Sequence, residues 1–301
     1  MNTAERFTMI LSISKKLGLY VFCSFLLMCG STKSAISHNP TELRVIYIYN
    51  DEGTSKDGIQ NCKNSINALI PQVYCIKEIN AEQTIQGKWR QDAAVFIMPG
   101  GADLPYCKKL NGTGNDQIKA YVEAGGTYIG FCAGAYYGAH YCEFHKGDTR
   151  GYEVLGTREL SFFPGSAVGP VLAPYDYKSK SGSRIAKIKL KRRDQDSPKI
   201  YNVYFNGGCY FKNADLYPNT QVIACYANEG FEELAAIIEC KIGKGKALLC
   251  GVHPEYSKLD LENNEQTLSE EDRNHFKRHI LPGLSDLSHK SLFNAIINRI
   301  R

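Results

Sequence analysis

The sequence predicts an α/β fold, with a mostly parallel sheet in its first half and a β-rich second half. Three observations carry that expectation. Short apolar runs alternate with helix-patterned segments from residue 43 to about residue 139. One apolar run passes straight into a helix through Gly130-Phe131-Cys132-Ala133-Gly134. Beyond about Gly151, strand-like runs follow one another with no helix between them.

Leu43–Tyr49 (LRVIYIY) reads as a buried strand that ends in the turn-forming residues Asn50–Gly53. Gly58–Leu69 sets Ile59, Cys62, Ile66 and Leu69 at helical spacing. A short strand is expected around Gln72–Ile76, and a third at Ala93–Met98 (AAVFIM), closed by Pro99-Gly100-Gly101. Asn115–Ala124 reads as a helix capped by Asn115 and stopped by Gly125-Gly126. Thr127–Phe131 is the next strand, and a helix over Ala133–Ala139 follows at once. In the second half, strands are expected at Val154–Leu160, Arg184–Lys191, Lys199–Phe205, Gln221–Tyr226 and Ala235–Cys240. Lys241–Lys246 (KIGKGK) is a hairpin turn returning through Ala247–Val252, and helices over Ser269–Leu281 and His289–Ile300 close the chain. With no internal repeat and no long linker, residues 36–301 are expected to form a single domain.

The 301 residues carry a formal charge of +5. Four of the 36 basic residues (Arg6, Lys15, Lys16, Lys33) and one of the 31 acidic ones (Glu5) fall in the first 35 positions, leaving 32 against 30. That balance speaks against a nucleic-acid partner. The Lys187–Arg193 run (KIKLKRR) alternates with Ile188 and Leu190 and reads as the wet face of a strand.

Residues 1–35 read as a targeting leader. Lys15 and Lys16 precede an apolar stretch from Leu17 to Met28, too short to span a bilayer comfortably and of the length of a secretory core. Cleavage near Ala35, lipidation at Cys29 after Leu26-Leu27-Met28, or an uncleaved membrane anchor all place the remainder outside the cytoplasm, as a periplasmic, secreted or membrane-attached protein. Nine cysteines follow the leader. In an oxidising space they suggest disulfide pairs plus one free thiol, Cys132; the alternative is a set of buried thiols. No Cys or His cluster has metal-ligand spacing, so neither a metal nor another cofactor is expected.

The chemistry concentrates at three joints. Gly130-x-Cys132-x-Gly134 has the form of a nucleophile elbow, in which a tight strand-to-helix turn lifts a side chain from the sheet edge and the helix start favours its thiolate. Its glycines are needed where any Cβ would meet the neighbouring strand or helix. Gly251-Val252-His253-Pro254-Glu255 follows the last strand, so His253 is placed to take a proton from Cys132 and Glu255 to orient the imidazole. Met98-Pro99-Gly100-Gly101 can turn a backbone N–H toward a developing oxyanion, with the Ala133 N–H as the second donor. Asp103, Tyr106, Tyr136 and Asn206 are candidate substrate contacts at the same mouth. The arrangement predicts an exported cysteine amidohydrolase or acyl-transferase that acts on a small-molecule or peptide amide. A non-catalytic binding or regulatory module on the same fold is the competing expectation.

At these residues the sequence resembles the class I glutamine amidotransferase superfamily. It resembles more specifically the N-terminal domain of biotin–protein ligases, in its stand-alone bacterial form. The stretches concerned are Pro99–Tyr106 (PGGADLPY), Gly125–Tyr137 (GGTYIGFCAGAYY), Tyr204–Phe211 (YFNGGCYF) and Gly251–Glu255 (GVHPE). The resemblance implies a flavodoxin-like three-layer sandwich. Tyr136 stands where glutaminases of that superfamily carry a substrate-binding Gln, so glutamine hydrolysis is not implied. The sequence lacks a glycine- and arginine-rich biotinyl-adenylate loop, so biotin transfer is not expected of it.

Overall fold

The computed structural model describes residues 44–70, 74–191 and 199–300. The leader expected over residues 1–35, including Cys29, lies outside the described residues, as do Leu43, Gln72 and the Arg192-Arg193 end of the basic run. No described helix is long and apolar enough to cross a membrane.

The chain forms an α/β sandwich of the flavodoxin-like kind around a 13-stranded mixed sheet. Strand β1 (Arg44–Tyr49) leads into helix α1 (Lys56–Leu69), β2 (Tyr74–Ile79), α2 (Ala81–Gln86), β3 (Ala93–Met98), α3 (Asp103–Leu110) and α4 (Thr113–Glu123). Next come β4 (Thr127–Phe131), the short α5 (Ala133–Gly138), β5 (Ala139–Phe144), β6 (Val154–Thr157) and β7 (Phe163–Gly169). The antiparallel part contains β8 (Arg184–Leu190), β9 (Ile200–Phe205), β10 (Tyr210–Phe211), β11 (Thr220–Tyr226), β12 (Ala235–Ile242) and β13 (Gly245–Cys250). Helices α6 (Lys258–Asn264), α7 (Glu270–His275) and α8 (Asp286–Ile297) complete it.

Strands β2, β1, β3, β4 and β13 run parallel in that spatial order. Their apolar alternation feeds two cores, because successive side chains leave opposite faces of a strand. Val45, Tyr47, Tyr49, Phe96 and Met98 point to one face, where Trp89, Leu110, Ile118 and Tyr121 cover them. Ile46, Ile48, Val95 and Ile97 point to the other, under Ile59 and Ile66 of α1 and Leu292, Phe293, Ile296 and Ile297 of α8. Each such side chain removed from water contributes about 2 kcal/mol. Beyond β13 the sheet turns antiparallel: β12 pairs with β13, β11 with β12, β8 with β11 and β9 with β8. Lys187 and Ile188 of the basic run alternate outward and inward on β8, as a half-wet strand requires.

Several elements depart from the sequence expectation for identifiable reasons. Helix α4 starts at Thr113 after a positive-φ Gly112, and Asn115 is not its cap. The Asn115 side chain accepts from the Tyr137 hydroxyl at 2.6 Å and donates to Glu159 at 2.9 Å, while Glu159 also accepts the Gly112 N–H. A distant carboxylate thus does the capping. The helix expected over Ala133–Ala139 ends at Gly138, and β5 begins there and pairs in parallel with β7. Helix α3 contains Pro105, which the first turn tolerates because its missing N–H has no intrahelical partner there. The helix expected over Ser269–Leu281 opens after His275 into a π-type turn at Phe276–Ile280, then a tight turn at Leu281–Gly283. The Leu281 N–H reaches back five residues to Phe276, and Pro282 cannot donate at all.

All nine cysteines from Cys62 to Cys250 are free thiols, which corrects the expectation of disulfide pairs. Seven are buried. Cys62, Cys240 and Cys250 sit on core-facing positions of helix and strands, where a thiol packs as a small apolar group.

Candidate functional site

The strand-to-helix joint between β4 and α5 sets Cys132 at φ 48°, ψ −106°, a conformation that costs an ordinary residue about 1–3 kcal/mol. The neighbouring glycines make the joint sterically feasible. A Cβ on Gly130 would lie 2.3 Å from the Gly134 carbonyl oxygen, and one on Gly134 would lie 2.1 Å from that of Met98. The Cys132 N–H is held by the Cys250 carbonyl and the Gly134 N–H by the Pro99 carbonyl. The elbow is therefore clamped between β13 and the end of β3.

His253 follows β13 and is fixed by its own N–H donating to the Tyr204 carbonyl at 3.1 Å. Its Nδ1 pairs with Glu255 Oε1 at 2.8 Å. Glu255 is almost fully buried, and its second oxygen has no partner among the described residues. Burial alone would push the imidazole toward neutrality. The Glu255 charge, together with charge and hydrogen-bond contacts to Cys132, outweighs it and pushes the His253 imidazole up to about 10. Cys132 Sγ also lies 3.7 Å from the Asn206 carbonyl oxygen. Cys132, His253 and Glu255 are thus brought together, and Gly100 is what lets them meet: a Cβ there would lie 2.9 Å from His253 Cε1.

Cys132 and His253 floor a cavity of about 320 Å³, and Glu255 lies behind the imidazole. Gly101 and Ala133 line it, and neither backbone N–H has a backbone acceptor among the described residues. Gly101 adopts φ 141°, where a side chain would collide with the Gly53 carbonyl. Gly100 lies beneath His253 and does not line the cavity; its carbonyl accepts the Ser55 N–H. Asp103 lines the wall and is held by Arg158, whose Nε donates to its Oδ2 at 2.7 Å in a buried pair. Tyr136 lies alongside with its hydroxyl donating to the Gly207 carbonyl, and Asn206 completes the same side. Tyr106 does not reach the cavity. It is fully buried and its hydroxyl donates to the Pro99 and Gly100 carbonyls at 3.3 and 3.1 Å, so it braces the glycine turn.

The rest of the wall comes from residues that sequence reasoning missed. Tyr175 and Tyr177 stand on the irregular segment after β7, packed edge to face at 4.9 Å. The Tyr175 N–H donates to His145 Nε2, while His145 Nδ1 faces Asp148 at 3.1 Å. Tyr204 and Tyr256 pack at an angle beside His253, and the Tyr204 hydroxyl meets Ser183. No short-range pattern marks these residues. Only a count of tyrosines, 19 in the chain, hints at an aromatic site.

Comparison with known proteins places this arrangement. The family model for the biotin–protein ligase N-terminal domain matches residues 44–298. A biotin–protein ligase of Schizosaccharomyces pombe (strain 972 / ATCC 24843) is 37% identical over 212 residues, 70% of this chain and 33% of that protein. The chain therefore spans about a third of that ligase. An uncharacterized protein of Chlamydia muridarum (strain MoPn / Nigg) is 34% identical over 225 residues, 72% of this chain and 84% of that protein. Among solved structures, Gan42B, a GH42 beta-galactosidase, aligns with a TM-score of 0.45 at 12% identity over 86% of this chain and 30% of its own. A likeness of that size says nothing about activity.

These matches overturn the expectation of an exported cysteine amidohydrolase or acyl-transferase. They point to a biotin–protein ligase family, and nothing in them supports a hydrolase, a catalytic triad, a signal peptide or a lipoprotein. A family model that runs from the first strand through the last helix, joined to two relatives above 30% identity, settles the kinship: the chain belongs to the biotin–protein ligase N-terminal domain family.

Proposed function

We propose that this chain is a ligand-binding module of its family, in which the floor made by Cys132 and His253, the imidazole held from behind by Glu255, receives the oxygen-bearing head of a small molecule and the tyrosine wall encloses the rest. The observation that carries this reading is His253 lining the cavity with its Nδ1 fixed at 2.8 Å by the buried Glu255 carboxylate, whose charge favours the imidazolium. A buried, pre-oriented imidazole whose charged form is favoured attracts a carbonyl or carboxylate oxygen, since it need not be reorganised on binding. The free N–H groups of Gly101 and Ala133 at the same floor support the same polarity. An enclosed, mostly apolar cavity with a few converging polar groups is the usual form of a small-molecule site. Tyr136, Asn206 and Asp103 are the contacts expected at its sides, with Cys132 close enough to report occupancy. Membership of the class I glutamine amidotransferase-like superfamily is part of the same proposal, resting on the elbow at Cys132 and the His253-Pro254-Glu255 segment.

The test is protection of Cys132. Purified protein is labelled with iodoacetamide at pH 7 in the presence of a panel of small carboxylates and amides, and labelling at Cys132 is followed by mass spectrometry. Because one relative is a biotin–protein ligase, biotin belongs in the panel. The expected result is that at least one compound slows Cys132 labelling and raises the melting temperature, and that His253→Gln removes both effects. A panel in which no compound at millimolar concentration alters either quantity would sink the binding reading.

A further inference from the structure

The feature of the cavity that its description leaves unused is the Asn206 side chain. Asn206 is 8% exposed, lines the cavity and lies directly beside Cys132. Its backbone carbonyl is engaged with Cys132 Sγ, yet its carboxamide makes no hydrogen bond with any described residue, and the buried Oδ1 is without a partner. A native core rarely leaves a buried amide oxygen unmatched, because it has lost water and gained nothing. Asn206 sits at a tight turn. It is followed by Gly207 at φ 77°, where a Cβ would lie 2.8 Å from the Tyr175 ring, and by Gly208, where a Cβ would lie 1.9 Å from the Gly251 carbonyl. The backbone that follows Asn206 is therefore closely packed.

A second feature concerns the opposite end of the cavity. Leu104 and Tyr177 line it and are 51% and 50% exposed. Leu104 stands on α3 and Tyr177 on the segment facing it, with Val154 at the same rim. Cys132, His253 and Asn206 thus supply polar groups at the floor, while Leu104, Val154 and Tyr177 give the rim an apolar surface beside Asp103 and Lys180. A ligand that satisfies both ends has a hydrogen-bonding head and an apolar continuation.

We propose that Asn206 selects the ligand, by pairing its carboxamide with the donor–acceptor edge of a primary amide or a urea whose hydrocarbon or aryl tail leaves the cavity between Leu104 and Tyr177. A carboxamide matches such an edge with two antiparallel hydrogen bonds, whichever way its own nitrogen and oxygen are turned. A tertiary amide has no N–H to give, and a carboxylate offers only acceptors, so neither completes the pair. The head's carbonyl oxygen is then left near the His253 N–H. This inference rests on the reading of the cavity as a ligand site, and it adds the chemical class of the ligand.

Hexanamide, N,N-dimethylhexanamide, hexanoate and acetamide separate the two claims when each is titrated as protection of Cys132 from iodoacetamide. Hexanamide is expected to bind at least about tenfold tighter than its dimethyl analogue, the size of one lost buried hydrogen bond. It should also bind at least about tenfold tighter than acetamide, which lacks the tail. Asn206→Leu should abolish the discrimination between the amide and its dimethyl form. Asn206→Asp keeps the shape if the leucine variant does not fold, and should exchange the preference for hexanamide for one for hexanamidine, which offers donors only. If hexanoate and the dimethyl amide protect as well as hexanamide, and Asn206→Leu changes none of the three, Asn206 does not select and the inference falls while the ligand site stands. If no compound protects, both fall.

Discussion

Along the Cys132 side of the cavity the backbone is packed so tightly that no Cβ fits at Gly130 or Gly134, and every turn is pinned between parallel strands. Across the cavity, Tyr175 and Tyr177 stand on a stretch without strand or helix, held by ring contacts and by His145. The first side is specified by sterics, where a single methyl group is not tolerated. The second is specified by large rings that fill space, where neighbours can shift. Such a division suits a binding site: the groups whose positions must be held lie on the rigid side, and those that shape the ligand's exit lie on the adaptable one.

This contrast can be broken by substitution. Gly134→Val puts side-chain atoms against the Met98 carbonyl from a position where Cβ alone would lie 2.1 Å away. It is expected to cost about 4 kcal/mol or more in urea unfolding; a variant with wild-type stability would show that the joint yields. Next comes Arg158→Met, which strands the Asp103 carboxylate in a buried setting. Losing one partner of a buried pair costs about 3–5 kcal/mol, and Asp103→Asn combined with Arg158→Met should recover part of it. Full additivity of the two changes would refute the coupling.

A smaller effect is expected at His253. A neighbouring cation favours the reactive thiolate, so His253→Gln should slow iodoacetamide labelling of Cys132 at pH 7 by about tenfold. Stability supplies an independent check through the shift of His253 from 6.5 up to about 10. Because the folded-state value is the higher one, the proton's contribution is complete below about pH 6.5 and fades as pH rises toward 10. The stability difference between wild type and His253→Gln should therefore shrink across that window, and a difference independent of pH would refute a protonated imidazole. The least costly change is Tyr177→Ala on the adaptable side. With its ring half-exposed, it should cost less than about 1 kcal/mol while altering protection of Cys132 by tailed ligands.

The legibility of the molecule follows the same division. The strands Ala93–Met98 and Thr127–Phe131 were readable to the residue because buried parallel strands are continuous apolar runs bounded by glycine. Asn115 was misread as a cap because Glu159, which performs that task, is 44 residues away. The helix after Ser269 looked continuous because a π-type turn preserves the apolar spacing that marks a helix. At the site, Cys132, His253 and Glu255 were visible as strand-end residues flanked by glycine and proline. Tyr106 was placed at the mouth from its position alone, whereas its hydroxyl faces inward to two carbonyls. Arg158 and Tyr175 carried no local signal at all.

By itself the sequence determined what local sterics and periodicity control: the order of the parallel strands' segments, the tight joint at Cys132 and the turn at Gly100-Gly101. Only the tertiary structure decided which distant groups share one volume. It set Arg158 against Asp103, Glu255 behind His253, and an unpartnered Asn206 carboxamide beside the thiol. The physical reason is range. Backbone strain and side-chain periodicity act over a few residues, whereas burial, charge pairing and hydrogen-bond satisfaction depend on everything the completed fold brings near.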